Sequence, residues 1–408
     1  MIIVENIQYN TRKLNELKQT ILKSFEAIDN HTDLKYYYET IWDILNKKSN
    51  IKEKFTNATL SKQIFLNHIS TILRSIKLTD ESNILDNLLI ELNKLYDEYK
   101  EFDKVRRNVI IYTNIPVKFK TNDKFTETLK YFNLDIFEFS SYNFESGTDL
   151  DDEIKYKFNC TKFLMLKYSN IARDYEFVKS EALTNIYSFF GYLTYIHRFN
   201  YDTEKWHINE ITLDNRITDL QINALIGTNS NFEIYDIDRQ YDIISTAIVM
   251  DESKKINFNN RMPQEYTLLK SVFESNKDSL YAELNEYFSL YYISSFESVI
   301  ENSFMKFWSL SERIIKDIHG EMKDKQLVKY MVEILNLRSY PDKIIQRVNF
   351  LKFKRNNLVH ENIHGEITQS DQAIVKVMAE SLILLLICYF KEVNEIKDYK
   401  NFYNINQS

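Results

Sequence analysis

The chain has 408 residues, of which 44% are hydrophobic and 27% are charged, so it is long enough for two or three domains and has the composition of a globular protein. Its net charge of −7 excludes a protein that binds polyanions over its whole surface, and any contact with nucleic acid requires a local basic surface. The scarcity of glycine (5 residues), with no GxxxxGK or GxGxxG motif, argues against a glycine-rich phosphate-binding loop.

The cysteines and the apolar segments indicate in which cellular compartment the protein is expected. Cys160 and Cys388 are far apart and in no metal-binding spacing, which favours a reducing cytoplasm. The first residues, MIIVENIQYNTRK, contain no long apolar segment, so we expect no signal peptide. The longest apolar run, Leu382 to Phe390, is roughly half of what a membrane span requires. We therefore predict a buried helix there and no membrane partner.

The pattern of apolar residues divides the chain into three predicted regions. Four segments within 1–104 place apolar residues at helical spacing and predict an N-terminal helical region. From 105 to 262, short β-branched segments predict strands at 108–119, at 162–169 and at several places in 210–250, with one helix at 176–199 between them. We interpret 105–262 as a mixed α/β or β-rich domain with a sensing or regulatory role.

Residues 263–408 are predicted to form a helical bundle. The segment 279–320 is long enough for two helices, and a further helix is predicted at 325–337. Pro341 and Asp342 are predicted to start the helix after that, which contains the segment 341–365. Gly365 is predicted to end that helix, and Ser370 or Asp371 to cap the last one. The expected fold class is α+β, mainly α.

The segment RNNLVHENIH, Arg355 to His364, is the main candidate for chemistry. α-Helical spacing predicts that Asn356 and His360 share one face, with Arg355 beside them. A histidine can move protons, and an arginine can hold a phosphate with two hydrogen bonds. RNA cleavage with the ribose 2′-OH as nucleophile requires no metal, so no cofactor is expected.

Three further basic residues of the same predicted helix, Arg347, Lys352 and Lys354, are predicted to hold flanking phosphates of RNA.

The same segment also matches H-E-x-x-H through His360, Glu361 and His364, which is the zinc-binding pattern of metalloproteases. Two features weaken this second interpretation. No HxxGxxH extension follows to supply a third ligand, and Gly365 and Glu366 come where a zinc-protease helix would continue. We therefore predict no metal at this segment, and keep the protease as an alternative.

RNNLVH resembles the R-N-x-x-x-H signature of HEPN-domain ribonucleases. Residues 280–395 resemble the Apea-like HEPN group, with an aromatic-rich helix that contains Trp308 and Glu312, two more helices, the motif, a short turn and an apolar last helix. The resemblance implies a HEPN-type helical bundle that forms a homodimer with a composite active site. It also implies metal-independent cleavage that leaves a cyclic phosphate, and frequently a role in prokaryotic toxin or anti-phage defence systems.

The resemblance implies that Arg355 contacts phosphate, that His360 transfers protons and that Asn356 orients one of these two side chains. Glu312 is a further candidate for the same cleft. The first 262 residues are expected to sense a phage-derived or cellular trigger, or to restrain the nuclease. Many HEPN domains are catalytically silent, so a sensor or dimerisation module is a second alternative. The sequence leaves open which RNA is cut, whether structured or single-stranded.

Overall fold

The computed structural model is an α+β fold, mainly α, as the sequence predicted. The residues that the structure describes are 15–29, 34–78, 83–121, 123–138, 163–197, 222–230, 234–239, 269–275, 278–337, 342–361 and 367–403.

Five helices make up the described N-terminal part, and they pack around a core of their own. They are α1 (Asn15–Asp29), α2 (Lys35–Lys48), α3 (Ile51–Asn57), α4 (Lys62–Lys77) and α5 (Ile84–Lys100). In this core the ring of Trp42 packs against the rings of Phe55 and Phe65. The four segments that the sequence predicted here are helical, and the short α3 was not predicted.

An antiparallel sheet of five strands follows, with the strand order β2-β3-β1-β4-β5 in the described residues. The strands are β1 (Val105–Pro116), β2 (Leu134–Phe137), β3 (Phe163–Ala172), β4 (Ile222–Asn229) and β5 (Ile234–Arg239). In the central strand β1, consecutive residues from Val109 to Tyr112 are all buried. Both faces of β1 are therefore covered, which explains why its sequence is a continuous apolar run instead of an alternating one.

Two elements of this region were not predicted, namely α6 (Asp123–Tyr131) and the short strand β2. The predicted strands at 210–215 and 242–250 lie outside the described residues. The helix α7 (Tyr175–His197) was predicted, and it packs against β1 and β3.

Five helices account for most of the described C-terminal part. They are α8 (Asp278–Phe296), α9 (Ile300–His319), α10 (Asp324–Leu337), α11 (Asp342–Asn356) and α12 (Gln369–Cys388). The long segment 279–320 thus forms two helices. The apolar run that starts at Leu382 lies in α12, and Leu382 to Ile387 are buried as predicted. Among the described residues, no helix is both long enough and apolar enough to cross a membrane.

The N-terminal helices are fixed to the sheet by hydrogen bonds at the end of β3. The guanidinium of Arg173 donates to the carbonyl oxygens of Ala58 (3.1 Å) and Phe102 (2.8 Å). The Asp174 carboxylate accepts from the backbone N–H of Ser61 at 3.0 Å. These contacts join the helices α1–α5 to a second core, which includes the sheet, α7 and the C-terminal helices.

That second core extends continuously from Val109 to Tyr399, so it crosses the boundary at residue 262. Its centre is the contact between α7 and α8. The hydroxyl of Ser188 on α7 donates to the backbone carbonyl of Asn285 on α8 at 2.7 Å, and the rings of Tyr192 and Tyr195 pack against Phe288. The division of the chain into 1–104, 105–262 and 263–408 stays a prediction.

Gly191 allows this close approach of α7 and α8. A β-carbon at Gly191 would collide with the backbone carbonyl of Phe288. Glycine in a helix normally destabilises it by about 1 kcal/mol relative to alanine. The close contact between the two backbones is therefore the reason for glycine at this position.

We expect Gly191→Ala to lower the free energy of unfolding by about 3 kcal/mol or more, since the added methyl group meets backbone instead of a movable side chain. Urea denaturation measures this difference. Ser180→Ala, at an exposed position of the same helix, is the matched control and should change stability by less than about 0.5 kcal/mol. A Gly191→Ala protein as stable as the wild type would contradict the close packing.

Candidate functional site

The predicted RNxxxH segment lies where α11 ends. Helix α11 begins at Asp342, as predicted, and its α-helical part ends at Asn356. Residues Asn357 to Glu361 continue as a turn of π-helix. The prediction that one α-helix continues to Gly365 is wrong in this respect, and residues 362–366 lie outside the described residues. Short π-helical turns occur frequently at functional sites.

Asn356 is the last residue of the α-helical part, and His360 lies in the π-helical turn. In a π-helix the hydrogen bonds join residues five apart, so one turn takes more residues than in an α-helix. Four residues are close to one full turn in either helix, so the shared face of Asn356 and His360 stays a prediction. The backbone of His360 lies in the π-helical turn, while its side chain, that of Glu361 and all of His364 lie outside what the structure describes.

Arg355 and Asn356 are in contact. One terminal nitrogen of the Arg355 guanidinium, Nη1, donates to Oδ1 of Asn356 at 3.2 Å. The Nε of Arg355 is buried and has no hydrogen-bond acceptor among the described residues. A buried donor of a charged group without an acceptor is costly, and such a group in a native protein requires an explanation.

The end of α11, directly before Arg355, is held by a network around the buried carboxylate of Asp371, near the start of α12. Its Oδ1 accepts from Nε (3.1 Å) and Nη2 (2.8 Å) of Arg347. Its Oδ2 accepts from Nζ of Lys354 (2.8 Å) and from the backbone N–H (3.0 Å) and hydroxyl (2.8 Å) of Thr368. The Asp371 side chain has 0% exposure. Two basic residues two helical turns apart are thus bound to one carboxylate, which holds α11 against α12.

Asp371 also belongs to the N-terminal cap of α12. The cap residue is Thr368, whose hydroxyl accepts from the backbone N–H of Asp371, and the Asp371 carboxylate accepts from the N–H of Thr368. The prediction that Ser370 or Asp371 is the capping residue is therefore wrong by two or three positions. The sequence Thr-x-x-Asp at 368–371 could have identified Thr368 as the cap, because it has the spacing of a capping box.

The network determines the charge state of Asp371. Burial raises the pKa of its carboxyl, but hydrogen bonds from Lys354, Thr368 and Arg347 outweigh burial and lower the pKa from its usual 3.8 to about 2. Asp371 is therefore ionised at neutral pH, and together with Arg347 and Lys354 it forms a group of one negative and two positive charges.

The predicted phosphate-binding residues differ in their surroundings. The side chain of Lys354 has 11% exposure and its charge is paired with Asp371, and its contact with phosphates stays a prediction. Arg347 retains 40% exposure despite the same pairing. Lys352 has 29% exposure and lies 3.9 Å from the carboxylate of Asp324 on α10. Glu312 on α9 pairs with Lys316 of its own helix at 2.8 Å.

A separate pocket of about 430 Å³ contains none of the residues that the sequence singled out. It is lined by aromatic residues of α7 and α8, by Ile222 of β4, and by an ion pair between Glu297 and Lys306 with an N–O distance of 2.7 Å. Comparison of the chain with protein-family models, with curated proteins and with solved structures finds no match.

We expect Asp371→Asn to lower the free energy of unfolding by about 3 kcal/mol, because it leaves Lys354 and Arg347 beside a neutral amide. Thermal or urea unfolding measures the change. Asp324→Asn is the matched control, since the Asp324 carboxylate is 63% exposed and its ion pair with Lys352 is long, at 3.9 Å. The control should change stability by at most about 1 kcal/mol. Equal effects of the two substitutions would contradict the role of Asp371.

The lowered pKa of Asp371 also predicts a pH dependence. Its folded-state pKa lies below its unfolded value, so the stabilisation is fully present above pH 3.8 and is lost as the pH falls towards 2. The fall of the Asp371 pKa from 3.8 to about 2 corresponds to about 2 kcal/mol. The difference in unfolding free energy between wild type and Asp371→Asn should therefore shrink by about that amount between pH 5 and pH 2. A constant difference would contradict the pKa shift.

Proposed function

We propose that the chain is a metal-independent endoribonuclease of HEPN type, with Arg355, Asn356 and His360 as its active-site residues. The observation that carries the proposal is the hydrogen bond from the Arg355 guanidinium to Oδ1 of Asn356, which brings two of the three predicted active-site residues together. The proposal is also supported by the resemblance of RNNLVH to the RNxxxH signature and by the π-helical turn that contains His360.

In the proposed reaction, the 2′-oxygen of a ribose attacks the adjacent phosphorus while the bond from phosphorus to the 5′-oxygen breaks. The proton of the 2′-OH passes to an unprotonated imidazole, and a protonated imidazole donates a proton to the leaving 5′-oxygen. The products are a 2′,3′-cyclic phosphate and a 5′-OH. The reaction is an internal transesterification, so it needs neither water nor another co-reactant.

Arg355 stabilises the charge that develops on the phosphate oxygens. The hydrogen bond from its Nη1 to Asn356 leaves the other terminal nitrogen, Nη2, as a donor for phosphate. Asn356 therefore orients Arg355. Because one site supplies one His360, a homodimer with two sites at one cleft would supply one imidazole as base and another as acid.

The resemblance also supports a cytoplasmic enzyme of a prokaryotic toxin or anti-phage defence system, in which residues 1–262 respond to a trigger. The continuous core between the sheet and the C-terminal helices gives a physical route for such control. A change of packing at α7 would be transmitted to α8 through their close contact at Gly191.

Arg355→Ala and His360→Ala should each lower the rate of RNA cleavage in the presence of EDTA by about 10²- to 10⁴-fold, the range expected for loss of charge stabilisation or proton transfer. Circular dichroism should show both variants folded. Gln346→Ala, at an exposed position of α11, is the matched control and should cut at the wild-type rate.

Cleavage by His360→Ala at the wild-type rate would contradict the assignment of the active site. Loss of wild-type cleavage on addition of EDTA would contradict the metal-free reaction and favour the zinc-binding interpretation of His360, Glu361 and His364. A His360→Ala protein with the full biological effect would favour the silent module.

A further inference from the structure

The pocket between the sheet and the C-terminal helices has the composition of a small-molecule site. Its volume of about 430 Å³ lies in the range of such sites, roughly 300–1,000 Å³. It is lined by Ile222 at the start of β4, by rings of α7 and α8, by the connection between α8 and α9, and by Lys306 on α9. Apolar surroundings with a few converging polar groups are typical of pockets that bind small molecules.

Three stacked aromatic rings line the pocket. Tyr187 on α7 stacks with Tyr292 on α8, with centroids 5.4 Å apart and planes inclined by 29°. Tyr292 in turn stacks with Phe296, with centroids 5.6 Å apart and planes inclined by 23°. Tyr292 is buried, whereas Tyr187 and Phe296 are only partly buried. Offset stacking is the preferred arrangement of aromatic rings, so a flat aromatic ligand is the kind of molecule whose shape fits this lining.

The polar part of the pocket is an ion pair between α9 and the connection that precedes it. Nζ of Lys306 donates to Oε2 of Glu297 at 2.7 Å, and the backbone N–H of Val299 donates to Oε1 at 3.2 Å. The hydrogen bond from Lys306 outweighs burial and lowers the pKa of the Glu297 carboxyl. The side chain of Glu297 is 17% exposed and that of Lys306 is 41% exposed. A ligand therefore reaches the pair chiefly through the ammonium group.

The ion pair favours a neutral ligand with hydrogen-bond acceptors. An anion bound to Lys306 would also lie close to the Glu297 carboxylate, and a cation bound to Glu297 would lie close to Lys306, so the second charge opposes either ligand. An ammonium group has three N–H donors, of which the bond to Glu297 uses one. A carbonyl oxygen or ring nitrogen can accept from another. A neutral heteroaromatic ring with such acceptors on its edge meets both requirements of the pocket.

We propose that this pocket binds a nucleoside, whose base stacks on the rings that line it and accepts a hydrogen bond from Lys306. Nucleobases carry carbonyl oxygens and ring nitrogens on their edges, and they stack on aromatic side chains through their faces. The site does not depend on the proposed RNA cleavage, because Arg355, Asn356 and His360 are not among the described residues that line it.

The test is isothermal titration calorimetry with adenosine, guanosine, cytidine and uridine, each on its own. Ribose, which has no base, and L-phenylalanine, which has a ring on a zwitterion, are the comparison ligands. Phe296→Ala removes a ring, Phe296→Tyr keeps it, and Lys306→Met removes the ammonium group. Lys329→Met is the matched control, because Lys329 on α10 also forms an ion pair, with Glu333 at 3.5 Å. Thermal unfolding checks that each variant is folded, and Phe296→Ala and Lys306→Met change different parts of the pocket.

We expect at least one nucleoside to bind the wild type with a Kd of about 10⁻⁴ M or tighter, from the typical free energy per atom of a small ligand. Phe296→Ala should weaken this binding at least about fivefold, the lower end of the loss per stacked base. Phe296→Tyr should keep the affinity to within about threefold. Lys306→Met should weaken binding about tenfold or more, because a hydrogen bond from a charged group is lost. Lys329→Met should bind like the wild type.

Three results would overturn the inference. The first is a wild type that binds none of the four nucleosides more tightly than ribose. The second is wild-type affinity of a folded Phe296→Ala or Lys306→Met protein, which would place the bound nucleoside elsewhere. The third is tighter binding of L-phenylalanine than of every nucleoside, which would assign the pocket to a zwitterionic amino acid.

The inference and the proposed function fail in different ways. Nucleoside binding that depends on Phe296 and Lys306, together with a wild type that does not cut RNA, would keep the pocket and reject the nuclease. RNA cleavage that depends on His360, together with a wild type that binds no nucleoside, would keep the nuclease and reject the pocket. Arg355→Ala should bind nucleosides like the wild type, and loss of that binding would place the nucleoside at the nuclease site and overturn the inference.

Discussion

The buried carboxylate of Asp371 is the interaction on which the candidate site depends. It binds two basic residues of α11, Arg347 and Lys354, and it also belongs to the cap of α12 through Thr368. Breaking a buried ion pair costs several kcal/mol because it leaves a charge without a partner. The end of α11 is therefore held in place, and Arg355 follows directly after a residue that is fixed. Such support is what an arginine requires if it is to present its guanidinium at a defined position.

The two kinds of basic residue on α11 have different roles, although the sequence shows them as one run. Lys354 is directed to the interior and holds two helices together. Arg355, the next residue, has a buried Nε without an acceptor among the described residues, and its contact with Asn356 uses only one of its terminal nitrogens. One residue of helix rotation, about 100°, thus separates a structural cation from a candidate anion-binding group. The exposed rings of Phe350 and Phe353 lie on the helix before this pair.

The fold class and most helices could be predicted from the sequence because amphipathic spacing is a local signal. The role of Asp371 could not, because its partners lie 17 and 24 residues away on another helix. The exposure of Phe350 and Phe353 could not be predicted from the sequence either. Apolar residues occur on several sides of α11, and only the packing shows that Val348 and Leu351 are buried while Phe350 and Phe353 are exposed. The π-helical turn at Asn357–Glu361 depends on hydrogen bonds that residue spacing does not reveal.

The chemical nature of the RNA ends tests the account most directly. If Arg355 holds the scissile phosphate and His360 moves protons without a metal, the cut RNA carries a 2′,3′-cyclic phosphate on one fragment and a 5′-OH on the other. Mass spectrometry of a short RNA, cut by the wild-type protein in EDTA, identifies these groups. A 2′-deoxy substitution at the cut nucleotide should then prevent cleavage. Products with a 3′-OH and a 5′-phosphate would contradict the account, because they require water as the nucleophile.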